Sequence, residues 1–406
     1  MFNRIITWRL VQWLPLITIP ITQLAFADEF DTVNFIGLRS LRYETNLFKL
    51  STSANDHVLL NGRTKSDEIT TTTAGINFNK KYSLQKFELD VSYVDYDYKK
   101  FSYLSFGGIN YSGQWNWQLT PSLYGSIIAI HKEQQASYLD YQGIGNRNIT
   151  TVEIKKLDTT FKLDGAWKFL TKLTELEVNN ERLIVQESDF NLREVEIGFQ
   201  RDFRSGSVLS FLKSQSRGNF FKRSEPSENL LIDTGFKESR NELRALWSIT
   251  ERSTIDARLA YVNRTHDNFS QRNFSGSVGG VIWHWEPTAK LELVSSWQQT
   301  VNSYQSNNSS FIKSNIISIG PDWHTTVKTL LKARYEYRQR QFLGQGFQIP
   351  LLPQQDSIQS AQLALIWNPL RELTLNASIQ KDKRISNLIG KNFESSTAIV
   401  SARIEF

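Results

Sequence analysis

The chain has 406 residues, of which 40% are apolar and 22% charged, with a formal net charge of +6 and no cysteine. A mean hydropathy of -0.39 excludes a bundle of membrane-spanning helices, each of which needs about 20 consecutive apolar residues. The lack of cysteine excludes disulfide-stapled and thiolate-metal folds.

The first element is a leader. Arg4 and Arg9 precede an uncharged run from Leu10 to Leu24, and Ala25-Phe26-Ala27 supplies a small-x-small cleavage site. Residues 1–27 therefore read as a cleaved signal peptide, with Pro15 and Pro20 arguing against a membrane anchor. Without it the chain carries 45 basic and 41 acidic groups, and residues 28–406 are expected to form one domain in a bacterial envelope.

The body alternates with period two. Ile109, Tyr111, Gly113, Trp115 and Trp117 face away from Asn110, Ser112, Gln114, Asn116 and Gln118, which is a strand and not a helix. The pattern recurs from Leu157 to Phe169 and from Leu331 to Tyr337. Tight turns are expected near Lys80-Lys81, Thr120-Pro121, Thr171-Lys172, Arg204-Ser205, Glu251-Arg252, Glu286-Pro287, Thr325-Thr326 and Pro369-Leu370. Longer polar loops are expected over 51–67, 132–148, 218–233, 302–310, 342–356 and 381–392. Short turns alternating with long loops define an all-β, antiparallel, transmembrane outer-membrane barrel. Eight turns with a strand pair at each junction give 18 strands, or 16 if one irregular pair is misread, with both termini in the periplasm.

Aromatic placement separates a lipid-facing barrel from a soluble one. Trp117, Trp167, Trp247, Trp285, Trp323 and Trp367 each sit a few residues before an expected short turn, where a membrane-interface girdle would lie. The chain ends on Ala398, Val400, Ala402, Ile404 and Phe406 in alternation, the form of a terminal strand read by outer-membrane assembly machinery, with Phe406 as the signal. The prolines fall at turns, in loops or near a strand end at Pro321, so that no central ladder is interrupted.

Catalytic chemistry has little support. The histidines at 57, 131, 266, 284 and 324 show no ligand spacing, so neither a metal nor another cofactor is expected. His131 with nearby Asp140 is the best rim-enzyme pair, and His284 between two tryptophans reads as a boundary residue. The lumen carries more information. Inward parity assigns Lys332, Arg334, Glu336, Arg338 and Arg340 to one wall, Arg240, Glu242 and Arg244 to another strand, and Arg258 and Arg264 to the next. Glu175, Glu177, Glu194 and Glu196 are expected inward on a further pair. One reading is a salt-bridge ladder. The other is a basic track, formed by Lys332, Arg334, Arg338, Arg340, Arg244, Arg258 and Arg264, that eases an anionic chain or ion through the pore.

Several segments carry a family resemblance. Residues 27–31, Glu44-Thr45-Asn46-Leu47-Phe48, Ser66-Asp67-Glu68-Ile69-Thr70-Thr71-Thr72, Tyr82-Ser83-Leu84-Gln85 and Trp117-Gln118-Leu119-Thr120-Pro121 resemble the exosortase (PEP-CTERM)-associated exopolysaccharide protein family EpsL. The likeness is densest over 27–125 and continues through Phe203-Arg204-Ser205-Gly206-Ser207 to the C-terminus. It implies an outer-membrane barrel that serves exopolysaccharide export, and it brings no catalytic residues. The expectation is thus a monomeric, non-enzymatic channel for an anionic extracellular polysaccharide. Its expected partners are outer-membrane lipid, the barrel assembly machinery, the exopolysaccharide chain and periplasmic and inner-membrane export components, with no nucleic acid. A general diffusion porin for small solutes is the alternative.

Overall fold

The computed structural model describes residues 32–140, 144–182, 189–223, 226, 233–306, 309–344 and 352–406. The expected signal peptide lies outside them. Among the described residues the chain forms β1 (Val33–Glu44), β2 (Asp67–Tyr82), β3 (Gln85–Tyr98), β4 (Phe106–Gln118), β5 (Leu123–Gln135) and β6 (Ile149–Asp164). There follow β7 (Trp167–Asn180), β8 (Phe190–Asp202), β9 (Val208–Phe220), β10 (Gly235–Thr250), β11 (Ser253–His266) and β12 (Phe274–Thr288). The last third holds β13 (Leu291–Ser306), β14 (Ser309–Thr326), β15 (Thr329–Leu343), β16 (Gln355–Trp367), β17 (Leu373–Ser386) and β18 (Phe393–Glu405). One short helix, α1 (Asp56–Leu59), interrupts the first long loop.

Each strand pairs antiparallel with its neighbours in sequence, and β1 pairs with both β2 and β18, so the 18-stranded sheet closes on itself. Closure leaves no strand edge unpaired, which is what a span through hydrocarbon requires. Short connections and long ones alternate between the two ends, as expected. The outer face carries exposed apolar side chains at every second position, including Phe87, Leu89, Val91 and Tyr93 on β3 and Leu363, Leu365 and Trp367 on β16. In water such a belt would be an aggregation surface; in lipid it is solvated.

Several expected positions shift, each for a local reason. The turn placed at Thr171-Lys172 lies instead at Gly165-Ala166, where Gly165 takes a left-handed φ of +41° that the tight reversal needs. Thr171 and Lys172 are therefore interior to β7, and Glu175 and Glu177 fall on the outer face while Glu194 and Glu196 face the lumen. Register shows this directly: Glu175 pairs with Arg193 and Glu196 with Lys172. Glu286-Pro287 belongs to β12, with a register break between Trp285 and Thr288 that accommodates the missing proline N–H. The expected loop over 302–310 is mostly strand, since β13 runs to Ser306 and β14 begins at Ser309. Pro321 does enter a central strand, and the β14–β15 pairing passes from Ile319↔Tyr335 to Asp322↔Lys332 without Gly320 and Pro321.

The long connections are ordered by buried polar caps. Asp233, wholly buried before β10, accepts from the backbone N–H groups of Asn268 and Phe269 at 2.9 Å each and from Asn268 Nδ2 at 2.9 Å, tying two neighbouring loops together. Burial pushes its carboxyl up, but these donors outweigh burial and hold it below the usual carboxylate range. Because the folded pKa is depressed, this stabilisation is fully present above about pH 4 and is lost as pH falls through the folded value. Hydrogen-exchange protection of the Asn268 and Phe269 amides is expected to collapse on that acidification, and Asp233→Asn should reduce it already at neutral pH.

Candidate functional site

The closed ring of strands encloses a lumen, and among the described residues its long-loop end is partly filled. The connection between β1 and β2 carries Leu47, Phe48, Leu50 and Leu60, which pack with inward-facing Ile69 and Tyr98 and with Phe101, Leu104 and Tyr138 from the next two long loops. Phe48 meets Phe101 edge-on at 4.8 Å and Tyr138 at 5.0 Å. Burial of this many apolar groups, each contributing roughly 1.5–3 kcal/mol, fixes three loops against the wall. Asn46 completes the seat: its Nδ2 donates to the carbonyls of Leu50 at 2.8 Å and Glu394 at 3.0 Å, and its Oδ1 accepts from Leu50 N–H at 2.9 Å. Asp67, with no exposed surface, accepts from the N–H groups of Lys100 and Phe101.

From this seat the β5–β6 connection crosses the barrel. Arg340 on β15 donates through both Nη atoms to Asp140, at 2.8 Å each, and Arg384 on β17 donates to the Leu139 carbonyl at 2.7 Å. In a ring of 18 strands β15 lies nine places from β6 in either direction, so the contact joins opposite walls. Arg384 also donates to Asp356 on β16 at 2.6 Å, and the side chains of Arg340, Arg384 and Asp356 are 6%, 3% and 0% exposed. A largely buried, bidentate cluster of this kind, in which only Arg384 Nε lacks a partner, holds the loop firmly, because removing one member leaves a buried charge poorly compensated. The loop is therefore a fixed constriction.

The expected basic track resolves mostly into a ladder. Lys332 pairs with Asp322 at 2.5 Å, Arg338 with Glu336 at 2.8 Å and Arg264 with Glu238 at 2.7 Å, while Arg244 pairs with Glu242 and Arg340 with Asp140. Lys172 and Glu196 add another pair on the far wall at 3.4 Å. Of the seven track residues, Arg258 and Arg334 stand exposed to the lumen with no carboxylate partner among the described residues. Arg334 sits where the β14–β15 ladder opens opposite Gly320. A Cβ at Gly320 would come within 2.6 Å of the Ala333 carbonyl and 3.4 Å of Arg334 Nε, so this close approach requires glycine.

The six tryptophans all lie at the short-turn end on the outer face. Trp247, Trp323, Trp167 and Trp367 are half exposed, Trp285 stacks on Trp283 at 5.4 Å, and Trp117 shares the face of Gly125. Trp167 follows its turn instead of preceding it, the consequence of the turn at Gly165. Phe406 closes the seam, its N–H donating to the Phe35 carbonyl at 3.0 Å and its ring 6.1 Å from that of Phe35. His131 and Asp140, the expected rim-enzyme pair, are not brought together. His131 is on the outer face, stacked on Tyr111 at 5.0 Å and 3.1 Å from Glu153. His284 faces inward, 3.0 Å from Glu292. No group of three or more acidic or histidine side chains suited to a metal ion occurs among the described residues.

Sequence reasoning missed Arg384, Asp356 and the role of Asp140 because the contacts that bring the 139–140 segment to β15 and β17 span 200 or more positions. A signal was present, since Leu47-Phe48 and Tyr138-Leu139 are apolar pairs inside otherwise polar loops, which water alone would not favour.

Comparison with known proteins agrees with this architecture. Residues 247–406 match the family described as "Putative beta-barrel porin 2". No curated protein matches the sequence. Among solved structures, the chain is similar to the Pseudomonas aeruginosa outer membrane protein OpdK, with 8% identity, a TM-score of 0.51, and 92% of this chain and 99% of that one covered. It is also similar to OccK9 (OpdG) from the same organism, with 9% identity, a TM-score of 0.52 and coverage of 92% and 98%. OccK2 (OpdF), solved in complex with glucuronate, shows 10% identity, a TM-score of 0.51 and coverage of 92% and 98%. The protein is a closed, 18-stranded antiparallel β-barrel of the outer membrane.

Replacing Asp140 with Ala should release the crossing loop. Single-channel recordings in planar bilayers are expected to show higher and noisier conductance, and denaturant titration should show a loss of about 3–5 kcal/mol as buried Arg340 loses its bidentate partner.

Proposed function

We propose that the protein is a passive channel for small polar solutes, with a preference for anions, and that it performs no chemistry. The observation that carries this reading is the β5–β6 loop clamped to the opposite wall by Arg340 and Arg384. An 18-stranded barrel encloses an aqueous channel, and a rigid strap across it favours small solutes over a bulky chain. Arg258 and Arg334, together with Lys132 on β5 and Lys156 on β6, face the lumen with no carboxylate partner among the described residues and supply the anion preference, because charges already neutralised by neighbours add little net potential. OccK2 was solved with glucuronate, a carboxylate, which is the class of group these two guanidiniums would meet. The six tryptophans serve as the inner membrane-interface girdle, and Phe406 serves as the terminal signal to the barrel assembly machinery.

Export of an anionic exopolysaccharide, with periplasmic and inner-membrane components as partners, is the second reading, and the EpsL-like segments over 27–125 favour it. Clean deletion in the native host separates the two. Loss of secreted polymer with periplasmic accumulation supports export, whereas unchanged polymer with slower uptake of small organic anions supports the porin.

Ion selectivity tests the assignment at residue level. Reversal potentials under a KCl gradient are expected to show anion preference in the unaltered protein. The preference should fall several-fold in Arg258→Gln/Arg334→Gln, while Arg338→Gln, whose charge is already paired, changes it far less.

A further inference from the structure

The lipid-facing surface carries a charge that the fold does not neutralise. On β1 the outward residues are Val33, Phe35, Gly37, Arg39, Leu41 and Tyr43, and Phe35, Leu41 and Tyr43 are 49%, 41% and 48% exposed. Arg39 thus stands in the middle of an apolar row. Its Nε is buried without a hydrogen-bond partner, and no ion pair is formed by it among the described residues. Register carries the same row to Thr72 on β2 and then to Asp95 on β3, an exposed carboxylate that likewise has no ion pair among the described residues. Arg39 and Asp95 are two strand spacings apart, about 10 Å, too far to neutralise one another directly. Beside them a groove of about 620 Å³ is lined by Gly37, Ala74, Tyr93, Ile109 and Ile404.

An ionisable group at membrane depth persists where it has a counter-charge. A lipid phosphate sits at headgroup level, beyond Leu41 and Tyr43 on one side and beyond Phe35 and Val33 on the other, so it does not suit Arg39. A carboxylate carried by a protein does. We propose that the β1–β3 face is the contact surface for a second copy of this chain, related by a two-fold axis parallel to the barrel axis and passing over Thr72. Such an axis exchanges the flanks of β2, so β1 of each copy lies opposite β3 of the other. Arg39 of each copy then meets Asp95 of its partner, giving two reciprocal pairs, as a self-complementary interface demands. Gly37, Thr72 and Ala74 at the centre are small enough to let the two walls approach closely. The inference rests on the membrane-spanning barrel and not on what the pore carries.

The chain has no cysteine, so Thr72→Cys is a clean probe at the axis. Oxidation in intact outer membranes is expected to yield a covalent dimer with Thr72→Cys. Leu259→Cys, on the outer face of β11 nine strands away, should yield none. On the Thr72→Cys background, Arg39→Asp or Asp95→Arg alone should cut the cross-linked fraction about tenfold, and the two together should restore it. Heat-modifiable mobility on gels verifies that each variant is a folded barrel. Cross-linking through residue 72 no greater than through residue 259, or a double exchange that fails to restore it, would overturn the proposal.

Discussion

Every backbone N–H and C=O that enters hydrocarbon must find its partner within the protein, and the rest of this structure follows from that constraint. Closure through the β1–β18 seam satisfies it, which is why the C-terminal Phe406 hydrogen-bonds back to Phe35 near the start of the first strand. The exceptions show the same rule at work. Pro287 and Pro321 each remove a donor, and at each the pairing shifts or opens locally instead of propagating a gap along the strand.

A ring this large leaves an interior that side chains alone do not fill, and the protein fills part of it with its own loops. The packing of Phe48, Phe101 and Tyr138 anchors the loops, and the Asp140–Arg340–Arg384–Asp356 cluster spans the lumen. Charge along the walls is then largely neutralised in pairs between residues on the same or adjacent strands. Within the basic track that arrangement sets Arg258 and Arg334 apart, although nothing in their immediate sequence distinguishes them from Arg264 or Arg338. The same logic applies outside, where Arg39 and Asp95 lack the neighbours that pair Glu175 with Arg193.

Sequence and structure differ most where local and long-range signals compete. Period-two alternation was readable along nearly every strand because each faces lipid on one side and the lumen on the other. The turn near Thr171 was misplaced because threonine and lysine are also good strand residues, whereas Gly165 has the backbone freedom that decides the reversal. A shift of a few residues there is enough to move Glu175 and Glu177 from the lumen to the outer face, since parity is set by register and not by composition.

Local pattern was enough for the class of the molecule: strand count, the alternation of turn and loop ends, and the placement of six tryptophans beside short turns all follow from stretches no longer than a hairpin. Tertiary structure alone decided which charges are free and where the pore narrows. Both depend on contacts between walls that lie on opposite sides of a closed ring, and residue 140 has no local relation to residue 340 until the ring is shut.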